Sequence, residues 1–328
     1  MKKKFLILFL LLFCITGCFN KGSKDVVSSL KKKIDNTNSY HIVGQLEIIN
    51  NEDSYTYDVD VAYQEDENFR VSLKNKTNNH EQIILKNSEG VYVLTPSLNK
   101  SFKFQSDWPY NNSQIYLLQT LLKDIEDDTD KIIEEKEGTY IITTKVNYPN
   151  NKNLVKQKIY VDKNMNIIKV EITNNEDIIK MKMSFNKIDL NATYKDEYFN
   201  IDSNMTINET SKTLNEIDDI IYPMYMPENT YLESQDTVTL DNGERVILTF
   251  AGKSPFMIIE ETVNVTDDYE TTIVYGDPEI MLDTIGSVGE NSVSFISGGI
   301  EYYAVSEVLD KSELLQVVNS ISTIPVGK

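Results

Sequence analysis

Nine consecutive residues, Tyr55 to Tyr63, carry a large apolar or aromatic side chain at every odd position and a small or polar one at every even position. A period of two fits only a strand with one dry face and one wet face. Phe69, Val71 and Leu73 repeat the pattern against Arg70, Ser72 and Lys74. Further strands are expected near 40–49, 81–86, 90–95 and 100–105, divided by the turn signals Asn50-Asn51, Asn78-Asn79, Ser88-Glu89-Gly90 and Pro96. Others follow at about 131–136, 139–148, 155–162, 166–173 and 177–190. In the last of these Ile179, Met181, Met183 and Phe185 alternate with Lys180, Lys182 and Ser184.

Roughly eleven one-sided strands cannot stay exposed, and only two short helices are available to cover them. Val26, Val27, Leu30 and Ile34 mark the first helix. The second is expected over Ser113 to Ile125, with Ser113 as its N-cap and Ile115, Leu118, Leu121, Leu122 and Ile125 on its apolar side. The fold class is therefore mainly β (α+β), with an antiparallel sheet curled over helices. Such a half-barrel can fill itself with side chains or keep a hydrophobic hollow for an apolar ligand, and periodicity does not choose between the two. The candidate cavity-lining residues are Tyr57, Val59, Phe69, Val71, Tyr92, Leu94, Phe102, Phe104, Leu118 and Leu121. Trp108 joins them, either on a lid at the cavity mouth or as a loop anchor packed on the sheet.

The start of the chain reads as an address. Lys2, Lys3 and Lys4 precede an apolar run from Phe5 to Ile15, too short to span a bilayer and suited to a signal peptide. Ile15-Thr16-Gly17-Cys18 then resembles a bacterial lipobox, which implies a signal over 1–17, acylation of Cys18 and a tether over 18–24. Cys14 would leave with the signal, so no disulfide could form. The expectation is a lipid-anchored protein on the extracytoplasmic face of the cell membrane. Abundant Asn, Ile and Lys, with scarce Ala, Arg and Trp, hint at an AT-rich genome and a single-membrane bacterium.

Residues 25–202 form the expected half-barrel domain, and 203–216, poor in apolar residues, the linker. A smaller α+β unit over 217–328 carries strands near 231–240, 244–251, 256–264, 271–275, 292–297 and 300–306, with tight turns at Asn242-Gly243 and Gly298-Gly299. Its closing helix has a capping-box start, Asp310 to Glu313, and an apolar side of Leu314, Leu315, Val318 and Ile321.

A net charge of −19 argues against nucleic-acid partners, which need clustered Lys and Arg. With two Cys and two His in the whole chain, a zinc cluster or an Fe–S centre is nearly excluded and no cofactor is expected. His41 and His80 read as structural or solvated. The acidic run Asp124 to Asp130 has Thr129 where a calcium loop needs its turn glycine, so no metal site is expected there. No P-loop, nucleophile elbow or zincin motif occurs, and the chain reads as non-enzymatic.

Three stretches carry a family resemblance: Ser39-Tyr40-His41-Ile42-Val43-Gly44, Phe69-Arg70-Val71, and Asn87 to Pro96, where a glycine leads an aromatic-containing strand into a proline. Residues 25 to about 200 resemble the LolA/RseB-type lipoprotein-carrier superfamily, which includes GerS-like lipoproteins. The final hundred residues are similar to a small domain of Gram-positive envelope lipoproteins, through Ile300 to Val305 and the helix from Leu314 to Ile321. The resemblance implies an incomplete barrel with a cavity for lipid or lipoprotein acyl chains, working as carrier, receptor or sensor. Its alternative is a GerS-like module that binds a cell-wall enzyme or an envelope regulator. An anchored chain cannot be a free shuttle. Germination and general envelope upkeep are equally open.

Overall fold

The computed structural model describes residues 23–50, 53–206 and 216–321. Cys18 and the expected signal lie outside the described residues. Helix α1 (Ser23–Asp35) leads into β1 (Ser39–Asn50), β2 (Asp53–Gln64), β3 (Asn68–Asn75), β4 (Glu81–Asn87), β5 (Gly90–Thr95) and β6 (Lys100–Gln105). Helix α2 (Leu118–Asp127) follows, then β7 (Ile132–Lys136), β8 (Thr139–Lys145), β9 (Lys156–Val161), β10 (Ile167–Thr173) and β11 (Ile179–Asp189). A short α3 (Ile201–Asn204) precedes β12 (Thr230–Leu240), β13 (Gly243–Gly252), β14 (Phe256–Thr262), β15 (Glu270–Tyr275), β16 (Asp277–Ile280), β17 (Ile285–Val288), β18 (Ser292–Ser297), β19 (Ile300–Val305) and α4 (Lys311–Asn319).

The strands form two sheets. The larger has twelve in the order β15-β6-β5-β4-β3-β2-β1-β11-β10-β9-β8-β7, and the smaller has seven in the order β12-β13-β14-β19-β18-β17-β16. The edges β15 and β7 do not pair with each other, so the large sheet stays open. This is the mainly β, α+β architecture that the alternating strands imply. One face buries Tyr57, Val59, Val61, Phe69, Val71 and Leu73 against Val26, Leu30 and Ile34 of α1 and Leu118, Leu121 and Ile125 of α2. Gly44 stands where β1 shifts register against β11, and a Cβ there would lie 2.3 Å from the carbonyl oxygen of Ser184. Only glycine allows the two backbones this approach.

Three expectations need correction. The second helix starts at Leu118, not Ser113. The Ser113 hydroxyl donates to Asp124 at 2.9 Å and accepts from the Asn147 amide at 2.8 Å, so it ties a loop to the helix flank instead of capping. The strand at 271–275, read as part of the smaller unit, runs parallel to β6 and extends the large sheet. It pairs with the free edge of β6 from Glu270 opposite Lys100 to Tyr275 opposite Gln105, and Ile285 joins the large core. Third, Tyr92 and Leu94 point away from the helices. Val91 and Val93 pair with Phe104 and Phe102 on the inner face, whereas Tyr92 and Leu94 join Ala62, Ile83, Leu85, Phe199 and Met205 on the outer one.

That outer cluster gives the expected linker an anchored beginning. Residues 194–205 strap across the sheet, where Arg70 donates to the Asn204 carboxamide at 2.6 Å and lies over the Tyr198 ring. Residues 207–215 lie outside the described residues. In the smaller unit, Gly298 and Gly299 both take positive φ in the hairpin between β18 and β19, and Asp310 caps α4 by accepting from the Glu313 amide at 2.9 Å.

The two sheets are joined by buried polar contacts. Gln82 Oε1 accepts from the Ile285 amide at 2.6 Å and the Thr284 hydroxyl at 3.0 Å. Tyr57 donates to the Leu282 carbonyl at 2.8 Å, and Asp277 accepts from Ser106 and Asn111 at 2.7 and 2.6 Å.

Candidate functional site

The inner face of the large sheet is packed. Tyr57, Val59, Phe69, Val71, Phe104, Leu118 and Leu121 belong to one continuous core, and Phe102 packs against it. Trp108 is fully buried there, edge-on to Phe69 with ring centroids 5.8 Å apart, which makes it a loop anchor. None of the eleven cavity candidates lines the open cleft that the structure does contain.

That cleft, of about 410 Å³, lies where the two sheets meet. One wall comes from the end of β1 (Ile48, Ile49, Asn50), the segment 112–116 and Lys180 and Met181 of β11. The loop after β8 adds Tyr148, Asn150, Asn151, Asn153 and Leu154. The opposite wall comes from 278–282, Tyr225 and the α4 residues Ser312, Leu315, Gln316 and Asn319. Its volume falls within the range of ordinary ligand pockets.

The lining is both apolar and amide-rich. Ile48, Ile115, Leu154, Met181, Leu282 and Leu315 supply the dry surface. Asn112, Gln114 and Asn150 are buried yet reach the cleft. They are held in place by a relay: the Tyr116 hydroxyl donates to Gln114 at 2.7 Å, and Gln114 in turn donates to Asn112. A carboxamide carries both donors and an acceptor, so a row of them matches a ligand that also carries both.

Glu279 is the cleft's carboxylate. It is half-buried, and Asn150 reaches it only at 3.5 Å. Burial pushes its carboxyl up to about 7, the nearby Asp277 charge adds to the rise, and the Asn150 hydrogen bond opposes it. Burial also pushes the phenols of Tyr116 and Tyr148 well above their ordinary value, so both remain protonated donors.

The other residues weighed in the sequence sit away from this cleft. His41 pairs with Asp60 at 2.7 Å on the outer face, and His80 meets Ser97 at 3.4 Å. In the acidic run, Asp124 accepts from Ser113 and Gln157, and Asp128 from the Lys145 amide and Thr144. These carboxylates hold the end of α2 against β8 and β9. No local sequence signal marks the cleft, because it joins positions near 50, 115, 150, 225, 280 and 316. Asn is also so common in this chain that the pairs at 111–112 and 150–151 did not stand out.

No family model matches the chain. Solved structures similar to it include the Pseudomonas aeruginosa MucA/MucB complex, at 10% identity over 89% of this chain and 97% of that one, with a TM-score of 0.34. A LolA superfamily protein from Nitrosomonas europaea has 12% identity over 54% of this chain and 98% of its own, with a TM-score of 0.32. A chain of the Clostridioides difficile complex between the CwlD amidase and the GerS lipoprotein has 16% identity over 53% of this chain and 96% of its own, with a TM-score of 0.31. Over nearly its whole length the chain is 31% identical to a Bacillus subtilis (strain 168) protein, covering 98% of this chain and 97% of the relative. The chain belongs to the family of that relative, the sporulation protein YdcC.

Proposed function

We propose that this chain is a non-enzymatic envelope protein, tethered to the membrane through Cys18, that serves sporulation by holding an extended segment of a protein partner in the cleft between its two sheets. The observation that carries this reading is the cleft's lining. Six carboxamides from one side, Asn50, Asn112, Gln114, Asn150, Asn151 and Asn153, face Gln316 and Asn319 from α4. A peptide main chain brings an N–H and a C=O at each residue and can pair with them. An acyl chain brings neither. It would strip water from those amides without replacing it, at about 1–3 kcal/mol for each group left unsatisfied.

The rival carrier reading puts acyl chains inside the large sheet, where Trp108, Phe69, Leu118 and Leu121 already pack together. A partner-binding module tolerates that filled interior.

The test is photo-crosslinking in sporulating cells from a benzoyl-phenylalanine at position 316, an exposed residue at the cleft rim. The expected product is an adduct to one protein, mapped to one short segment. Adducts to lipid alone would sink the reading. The anchor is checked alongside: the Cys18→Ala chain is expected in the soluble fraction, and retention in the membrane fraction would contradict the lipobox.

A further inference from the structure

We infer that the cleft selects a lysine in the bound segment, whose ammonium is held by Glu279; this rests on the peptide-binding reading of the cleft. Three features of the cleft point to it. First, Glu279 has no ion-pair partner among the described residues: no lysine or arginine nitrogen comes within 4.0 Å of it, although Lys180 lines the same cleft. The charge that acts on it is that of Asp277, of the same sign. A half-buried carboxylate without a counter-ion carries a desolvation cost that a cationic ligand relieves.

Second, its surroundings suit an ammonium. Tyr116 and Tyr148 line the cleft close enough for the Glu279 charge to act on both phenols. Tyr116 is fully buried behind the half-buried Tyr148, whose aromatic ring attracts a cation and adds to the pull of the carboxylate. Around it the half-buried Ile49, Ile280 and Leu282 offer dry surface for an aliphatic stem. A lysine side chain, with four methylenes and a compact charged end, matches that sequence of surfaces.

Third, the site disfavours arginine. A guanidinium makes its best bond as a fork onto both oxygens of a free carboxylate. Here Asn150 already approaches Oε2, and a compact ammonium needs only the remaining oxygen.

The experiment is a selection that presupposes no sequence. A heptapeptide library, randomised at every position, is selected on the full-length protein in detergent micelles, and the recovered peptides are tested on Glu279→Gln and Gln316→Trp. The Gln316→Trp change fills the cleft mouth from an exposed position, so loss of binding to it identifies cleft-dependent peptides. The expected result is enrichment of lysine at one position of those peptides. They should bind Glu279→Gln at least tenfold more weakly, and norleucine in place of the lysine should remove the difference between the two proteins. Cleft-dependent peptides with no lysine bias and equal affinity for Glu279→Gln would overturn the inference and leave the peptide reading standing. No cleft-dependent peptide at all would overturn both. Gln is isosteric with Glu, and a melting temperature for Glu279→Gln at or above that of the parent shows that any loss of binding is not unfolding.

Discussion

Replacing Gln82 with alanine is expected to cost about 3–5 kcal/mol, because it breaks the seam between the sheets at its driest point. Gln82 is 5% exposed and bonds in both directions. Its oxygen accepts from Thr284 and the Ile285 amide, and its nitrogen donates to Thr95 at 3.3 Å. Alanine leaves the buried Ile285 amide without its partner, while the Thr284 hydroxyl keeps the Ile296 carbonyl at 2.8 Å, and it opens a void of four heavy atoms beside Ile285. The seam also sets the cleft, whose far wall, residues 278–282, hangs from the same connection. Thermal unfolding of the parent is therefore expected as a single transition. In Gln82→Ala it should move down by several degrees, with the smaller sheet's near-ultraviolet signal lost first. A shift below about 1 kcal/mol would show that the sheets are held elsewhere.

Stability is expected to fall as pH rises from about 4.5 to 8. Glu260 is completely buried on β14, and among the described residues its carboxylate receives only the Ile221 amide, at 3.1 and 3.4 Å. Burial pushes it up to about 7, which that one hydrogen bond only partly offsets. The sign follows directly. Between pH 4.5 and 7 the unfolded chain has released this proton while the folded one retains it, so raising the pH favours unfolding. The full penalty, about 3 kcal/mol for this residue, is reached above pH 7. Glu279 shifts in the same direction, to about 7, and Asp124, desolvated beside α2, to about 6. Asp128 and Asp162 act oppositely. Backbone hydrogen bonds hold them below the usual carboxylate range, so their contribution is present above pH 3.8 and lost as pH falls through their folded values. The melting temperature should thus peak between about pH 4 and 5. Glu260→Gln should flatten the descent and stabilise the protein at pH 8 by about 2–3 kcal/mol. A melting temperature that climbs from pH 5 to pH 8, or one indifferent to Glu260→Gln, would contradict this.

How far the sequence could be read follows from where each residue's environment is local. Tyr55 to Tyr63 was legible because the two faces of β2 meet different surroundings, packed core on one side and largely solvent on the other. Val91 to Leu94 was not. Both faces of β5 are dry, one against the helices and one under the 194–205 strap, so the apolar run gives no phase. The Asp310 cap was legible because a cap is settled within four residues. Ser113 has the same chemistry, but its hydroxyl is committed to Asp124 and the Asn147 amide, which only the folded chain brings near. The strands β16 and β17, four residues each, are too short to show a period. The cleft depends on all of these long-range choices at once, and of the candidate lining residues nine lie in or against the packed interior and two, Tyr92 and Leu94, on the outer face.

The interior of the large sheet is filled by its own side chains, and the cleft between the sheets is where the proposed peptide binds. Native mass spectrometry of the Cys18→Ala chain, free of covalent acyl groups and followed by organic extraction, tests it most directly. The expected result is a ligand-free mass that stays unchanged after incubation with membrane lipid extract. One molecule of lipid bound per chain, retained through purification and recovered in the extract, would contradict it.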